Sequence, residues 1–590
     1  MGCMDRKNLT LGILCLVGAF GLLFWNSHSV EQTKAAHVTV TPPVPTVTSP
    51  AAPAVTPVPV AAVTPSVGDE QPKNKATTFA LQNDVLNVQI TSRGGSLDTA
   101  ALKQHRTAVG SKESVTFNNL APDAALELYL PDLPDPATAK PTPIRIAFRS
   151  IESSDGWTRL EGSLPDGTHI ERSYRLRSES LGRGDKDPHG VEFSVRITPP
   201  AGKPVPKFWI STGTWQPEVA DVAHTFQSVL VSDGADIAHS GLSDFTDSSG
   251  FLGLFAHKAL AKSLLVPAAG RSHAWVASAN QYFVASLCPD VTARGQRSEA
   301  LVLPVVLSDG ARSVRALASW EGPAATDGSR TLAGVLYVGP KEYGRLSALS
   351  DGQVDTLQFV KLLGFIGIGW MAKFLLAILG GVHWLVAGSG AWAWGFSILL
   401  LTLLLKLVTW QLTSAQLRAS KNMAKVAGPM KALQEKYKKD PERLQKEMLK
   451  LYQEHGVNPL AGCFPILVQM PIFFGLYSAF QHAPEMRLQA FLWITDLAGP
   501  DTIAHLGSVP VNPLPLLMGI TMWISMRMTP TTGTAETQKM VMTIMMMMFP
   551  LICYTMPAAL TLYWTFQNVL QIGQTWMIQR RDKLTVVTKA

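Results

Sequence analysis

The chain has 590 residues, 46% hydrophobic and 16% charged, with a formal net charge of +7. That length leaves room for a membrane unit and at least one soluble domain, and the modest charge gives no sign of specific nucleic-acid recognition. The five cysteines, Cys3, Cys15, Cys288, Cys463 and Cys553, have neither metal-ligand spacing nor a disulfide framework, which excludes a zinc module and a stapled secreted scaffold.

Residues 1–8 carry Arg6 and Lys7 ahead of an apolar run from Leu9 to Trp25. A cleaved signal peptide and an uncleaved anchor over 9–26 both fit such a run. No small-x-small site ends it, and Trp25 at its boundary suits an interfacial anchor, so the anchor is favoured. Met1-Gly2-Cys3 suggests acylation, but Arg6 stands where the myristoylation pattern has Ser or Thr. Residues 38–76 open with an uncharged run of Thr, Pro, Ala and Val, a composition that favours extended polyproline geometry and builds no core. This segment is a linker.

Residues 77–345 read as an all-β domain. Leu86, Val88 and Ile90 alternate with polar Asn87 and Gln89; Ile144, Ile146 and Phe148 alternate in the same way, as do Val191, Phe193, Val195 and Ile197. Alternation of period two between Gly, Pro and Asp breaks marks strands with one buried face, and so many of them predict a large sandwich. His169, His257 and His273 are scattered singly, and lone histidines are more often structural than catalytic.

The second half holds apolar runs of the length a bilayer requires, at 392–411, 462–483, 512–528, 540–556 and 558–577. A further apolar stretch, 357–388, contains Lys361, Lys373, His383, Trp370 and Trp384. Topology decides its role. The segment 413–461 carries ten Lys and Arg, which places it in the cytoplasm, as Arg6 and Lys7 place the N-terminus. One crossing, not two, then joins the outer β domain to that segment, and 357–388 becomes an interfacial amphipathic helix. The remaining runs close the pattern: a periplasmic loop at 484–511, a cytoplasmic loop at 529–539 and a basic cytoplasmic tail at 578–590. The fold class is an α-helical polytopic membrane protein with six transmembrane helices, both termini inside, plus a periplasmic all-β domain.

Within 413–457, Met423, Val426, Met430, Leu433 and Tyr437 follow a helical seam, Gly428-Pro429 predicts a kink, and Asp440-Pro441 predicts a helix start. A basic helical hairpin results. Lys421, Lys425, Lys431, Arg443 and Lys446 make it either a docking arm for ribosome, nascent chain or anionic lipid, or a loop that only orients the chain.

Lys406 is the single charge in the first core span, and none of the five later spans contains Asp or Glu. An ionisable residue inside a span points to function. The competing reading is snorkelling: Lys406 lies about 9 Å of helix rise from the cytoplasmic end. Neutral polar groups accompany it. Thr402 stands four residues earlier on the same face; Gln469 lies in the next span; Tyr563, Trp564, Gln567, Asn568, Gln571 and Gln574 lie in the last, with Gln567, Gln571 and Gln574 on one face. If these faces converge they form a wet, positively charged groove open to the cytoplasm. Methionines crowd two spans, among them Met545 and Met546, and flexible thioethers suit varied apolar partners. Lipid-facing bulk explains them equally. No phosphate loop, metalloprotease motif or nucleophile elbow occurs, so neither catalytic residues nor a metal is expected.

Gly395-Phe396-Ser397 with its downstream cation, Asn458-Pro459-Leu460-Ala461-Gly462-Cys463-Phe464-Pro465, Gln469-Met470-Pro471-Ile472-Phe473 and Leu562-Tyr563-Trp564 resemble the YidC/Oxa/Alb membrane-insertase family. Val338-Gly339-Pro340-Lys341 is similar to the end of the periplasmic domain in Gram-negative members. The resemblance implies a five-helix insertase core behind a β-supersandwich domain. It also implies a protein that inserts and folds inner-membrane proteins, alone or with the Sec translocon. It further implies a groove residue at Lys406, with Thr402 and the Tyr563-Trp564 pair nearby; the polar and apolar faces read above add Gln469 and Gln567 to that groove and a hydrophobic slide at Met470, Phe473, Met545 and Met546. One departure is visible: the family's groove cation is usually Arg, and here it is Lys. The chain is expected to be a multi-pass inner-membrane protein, not an enzyme, without cofactors. Its expected partners are nascent membrane proteins, the Sec translocon with accessory subunits, the lipid bilayer and, through the hairpin and tail, the ribosome. Two competitors remain, a small-anion transporter using Lys406 and a membrane-anchored carbohydrate-processing enzyme working through the β domain.

Overall fold

The computed structural model describes residues 70–587 apart from 131–141, 152–155, 178–186, 206, 219–220, 222–225, 235, 248–258, 260–263, 267–272, 291–297, 321–324, 350–367, 439, 457–463, 507–508 and 529–535. The N-terminal anchor, most of the linker and most of the Asn458–Pro465 stretch lie outside the described residues. The chain divides into two compact units, one β-rich and ending at Leu357, the other holding the helices that follow Gln358.

Among the described residues, the β-rich unit contains three antiparallel sheets. A four-stranded sheet runs in chain order through Thr78–Gln82, Leu86–Thr91, Leu97–Arg106 and Ser114–Phe117. A nine-stranded sheet is ordered Ile237–Gly241, Ser228–Ser232, Trp275–Ala279, Phe283–Pro289, Arg330–Pro340, Gly190–Thr198, His169–Leu176, Thr158–Ser163 and Arg149–Ile151. A six-stranded sheet is ordered Leu264–Val266, Ser298–Val306, Arg312–Trp320, Trp209–Ser211, Leu128–Leu130 and Thr142–Pro143. The alternating positions supply the core: Leu86, Val88, Ile90, Val191, Phe193, Val195 and Ile197 are all buried. The sandwich interior also holds polar groups. Glu127 is fully buried, where it accepts from Tyr129 Oη at 2.8 Å and from Arg145 Nε at 2.8 Å. Asp123 bridges Arg145 and Arg315. A short helix, α1 (Tyr343–Ala348), closes the unit, and its Arg345 pairs with Asp187.

The helical unit contains α2 (Ile368–Val386), α3 (Ala393–Val408), α4 (Trp410–Lys425), α5 (Ala427–Lys436), α6 (Pro441–Glu454), α7 (Phe464–His482), α8 (Pro513–Met528), α9 (Glu536–Ile552) and α10 (Ala558–Val587). Among the described residues, one helical stretch, Trp370–Val408, is long and apolar enough to cross a membrane by length and composition. Gly390, at φ 64, interrupts it, a conformation glycine adopts without a Cβ clash. The stretch therefore folds back into α2 and α3. His383 near the end of α2 stacks on Trp394 at the start of α3, with ring centroids 3.8 Å apart.

Helix α2 buries Ala372, Leu375, Leu379 and Val382 on one stripe, against α7, and leaves Trp370, Phe374, Trp384 and Leu385 exposed. Gly475 of α7 admits this approach: a Cβ there would lie 2.9 Å from Met371 Cγ.

Helices α4, α5 and α6 occupy the basic segment. The break falls at Val426, two residues before Gly428, and leaves Pro429 in the first turn of α5. Proline is tolerated there because a first-turn N–H has no partner inside the helix. Asp440 caps α6 by accepting from the Arg443 N–H at 3.1 Å, with Pro441 at the first helical position. The Tyr452 hydroxyl meets Met430 Sδ at 3.0 Å and joins α6 to α5.

Candidate functional site: a polar stripe along the last helix

Helix α10 is the hub of the helical unit, in contact with α3, α7 and α8. Tyr563, Gln567, Gln571 and Gln574 recur at spacings of four, four and three along it. In a helix these fall on one face, spread over roughly 16 Å. Three of the four are tied to other helices. Tyr563 Oη accepts from Gln469 Nε2 on α7 at 2.9 Å. Gln571 Oε1 accepts from Lys406 Nζ on α3. Gln574 Nε2 donates to the Trp410 carbonyl and to Ser414 Oγ on α4, both at 3.0 Å. Between these ties, Gln567 Oε1 is buried and has no hydrogen-bond partner among the described residues.

Lys406 is 2% exposed. Among the described residues no carboxylate lies within ion-pair distance of it, and its bond is to a neutral amide. Thr402 is buried one turn away, but its hydroxyl donates to the Ile398 carbonyl of its own helix at 2.6 Å. It lines the site without presenting a spare donor.

Trp564 turns away from the stripe and joins an aromatic triangle with Phe473 and Phe549, at centroid distances of 4.9 Å and 4.6 Å. Met470 and Met546 are half-buried, while Met547 and Met548 are exposed. The Met545 side chain lies outside the described residues. Phe473, selected with the slide, thus meets Trp564 of α10, which was selected with the groove and lies with the apolar cluster. The basic residues lie elsewhere, on α4 to α6, with Lys425, Lys431, Arg443 and Lys446 exposed and Lys421 half-buried.

Sequence reasoning missed what closes one end of the unit. Phe491, in the loop between α7 and α8, packs on Gly395 so tightly that a Cβ on Gly395 would fall 2.0 Å from Phe491 Cδ2. Trp392 and Phe396 complete that aromatic contact. Two carboxylates hold the loop. Asp496 Oδ1 accepts from the Leu488 and Ala498 N–H groups at 2.8 and 2.9 Å. Asp501 Oδ2 accepts from Trp493 Nε1 at 3.1 Å and from Leu514 N at 2.6 Å, at the start of α8. Burial pushes both carboxyl pKa values up, against the pull of these donors. The loop also fixes α10, whose Ala558 and Ala559 N–H groups donate to the Gly499 and Leu497 carbonyls at 2.7 and 2.9 Å. The available signal was Gly395 itself, a glycine inside an apolar helix, which marks a close approach.

Comparison with known proteins places this architecture. Residues 78–378 match the family model of the YidC periplasmic domain, and residues 384–585 match that of the 60Kd inner membrane protein. The chain belongs to the YidC family. It is an inner-membrane protein with a periplasmic β domain. Among YidC relatives, the membrane protein insertase YidC of Pelobacter propionicus is 27% identical, covering 98% of this chain and 99% of the relative. That of Syntrophobacter fumaroxidans is 34% identical, over 57% of this chain and 58% of the relative. A solved structure described as an active YidC insertase with the first transmembrane domain resolved is 18% identical, covers 87% of this chain and 95% of that chain, and has a TM-score of 0.33.

Proposed function

We propose that this chain inserts and folds membrane proteins, and that the α10 stripe with Lys406 is the groove through which a substrate's polar segment passes. The observation that carries this reading is the pairing of Lys406. A buried cation that, among the described residues, bonds a neutral glutamine and no carboxylate has no fixed counter-charge to displace there, so a passing carboxylate gains an ion pair without breaking one. Gln567 Oε1, one turn along, is an open acceptor for a backbone N–H. Water and amides in such a stripe lower the penalty of moving polar groups into hydrocarbon. The aromatic triangle and the neighbouring methionines then offer an apolar path out to lipid.

In this reading α3, α7, α8, α9 and α10 cross the bilayer behind the N-terminal anchor, both termini are cytoplasmic, and α2 lies along the membrane interface. The basic arm α4–α6 and the tail meet the ribosome or anionic lipid, and the Sec translocon is a partner for some substrates. No cofactor takes part. The carbohydrate-enzyme alternative requires a free pair of carboxylates in the β domain; the buried pair Asp123 and Glu127 does not supply it, because Arg145 engages both. A small-anion transporter remains the reading to separate by experiment.

Lys406→Ala, →Glu and →Arg, each expressed in cells depleted of the native protein, test the groove. Arg is expected to support growth and membrane-protein insertion, Ala to support them weakly, and Glu to abolish them through repulsion of acidic segments. Full activity of both the Ala and Glu variants would sink the electrostatic mechanism. Retained insertion with lost anion flux would favour the transporter.

A further inference from the structure

Between α7 and α8 the chain forms a two-stranded hairpin, Ala504–Leu506 paired with Val509–Val511. Its apolar side chains are uncovered: Leu506 is 75% exposed, Val509 57% and Ile503 55%. Leu506 and Val509 are cross-strand partners, so their side chains form one contiguous tip. Leu492 and Trp493 are also exposed, and the Trp493 indole bonds Asp501, which leads into the hairpin.

Three observations say what covers this surface. First, it carries no fixed charge, its titratable side chain being the exposed His505. From Thr502 to Met526 there is no Asp, Glu, Lys or Arg, so the uncharged run that forms α8 begins at the hairpin, before Pro513. The nearest carboxylates, Asp496 and Asp501, are turned inward to backbone N–H groups. Second, α8 is short. Its 16 residues rise about 24 Å against a hydrocarbon core of about 30 Å. An apolar hairpin at its outer end extends the apolar surface toward the missing length. Third, Trp493 has the amphipathic character of residues enriched at the headgroup level, an apolar ring with its N–H satisfied inside the loop. A water-exposed tip of this composition would leave Leu506, Val509 and Ile503 uncovered, with exposed His505 as the polar side chain of the hairpin.

We propose that the hairpin tip, Leu506 and Val509 with Ile503 and Trp493 beside it, is immersed in the headgroup–acyl boundary of the outer leaflet, where its partner is lipid. The inference rests on the reading of the helical unit as bilayer-spanning. Immersion pins the outer end of α8 and the Asp501-capped loop at a set depth, which holds Phe491 over Gly395.

The test is depth-resolved quenching on the full chain, with its other cysteines replaced by alanine. The chain is reconstituted in vesicles of phosphatidylethanolamine and phosphatidylglycerol. Leu506→Cys and Val509→Cys are labelled separately with an environment-sensitive fluorophore, alongside Leu407→Cys on the exposed face of α3 and Asp309→Cys in an exposed turn of the β domain. Lipids carrying a nitroxide on the acyl chain near the headgroup are expected to quench the labels at 506 and 509 as strongly as the label at 407. The label at 309 is expected to answer only to aqueous iodide. Iodide quenching at 506 and 509 with lipid quenching at 407 would overturn the hairpin proposal and leave the spanning topology intact. Shielding of 506 and 509 from both quenchers would mean that protein, such as a second copy, covers the tip, and would overturn it equally. Loss of lipid quenching at 407 would remove the topology, and the proposal with it.

Discussion

Gly395 reverses an ordinary rule. In an exposed helix Gly→Ala stabilises by about 1 kcal/mol through backbone entropy. In α3 the added methyl would meet the Phe491 ring, and overpacking of this kind costs about 1–3 kcal/mol. Gly395→Ala is therefore expected to lower the thermal stability of the purified protein, and to lower it much less in a Phe491→Leu background. Equal losses in both backgrounds would show that the ring is not what the methyl meets. The glycine was visible in the sequence inside a recognisable stretch, but its partner lies 96 positions later, outside any helix or regular strand. Periodicity reports which face of a helix is buried and not which side chain buries it. Lys406 had the opposite history. Its singularity among apolar residues was plain, and the absence of carboxylates from the spans limited its partners to neutral groups. That the partner is Gln571 required the fold.

At the scale of elements, α10 was the most legible part of the site, because the spacing of Gln567, Gln571 and Gln574 is a helical spacing whatever surrounds it. The hairpin between α7 and α8 was the least legible. Its strands are three residues each, too short for alternation to register, though the Gly507-Ser508 pair between them is a two-residue turn signal. The stripe on α10 also allows its ends to be ranked. Tyr563→Phe removes one neutral hydrogen bond and leaves the Gln469 amide in a polar neighbourhood, a loss of about 0.5–1.5 kcal/mol. Gln571→Leu instead leaves a buried ammonium without its acceptor, which is the more expensive loss because the group is charged. Gln571→Leu is expected to destabilise the helical unit more than Tyr563→Phe and to impair insertion more. The reverse order in thermal unfolding and complementation would place the weight of the stripe at Gln469–Tyr563.

For the whole molecule, division into two compact units implies two unfolding transitions, and the units differ in how they answer to pH. His273, in the β unit, is 1% exposed, rests against the Trp320 ring at 4.5 Å, and has no partner for either ring nitrogen among the described residues. Burial pushes its pKa down from 6.5 to about 3. The unfolded chain therefore binds this proton between pH 6.5 and 3 while the folded domain does not. The stability it confers is complete above pH 6.5 and is lost as pH falls toward 3, at no more than about 1.4 kcal/mol per pH unit. Glu127 works in the other direction, because burial raises its carboxyl pKa, so the absolute profile mixes the two. The difference between wild type and His273→Asn separates them. Thermal unfolding of the full chain in detergent is expected to show the β transition moving to lower temperature between pH 6.5 and 4, with a shallower slope in the variant and no change in the helical transition. Parallel slopes for the two proteins would mean that His273 is hydrated or paired in the folded domain. A shift of both transitions together would mean that the two units unfold as one.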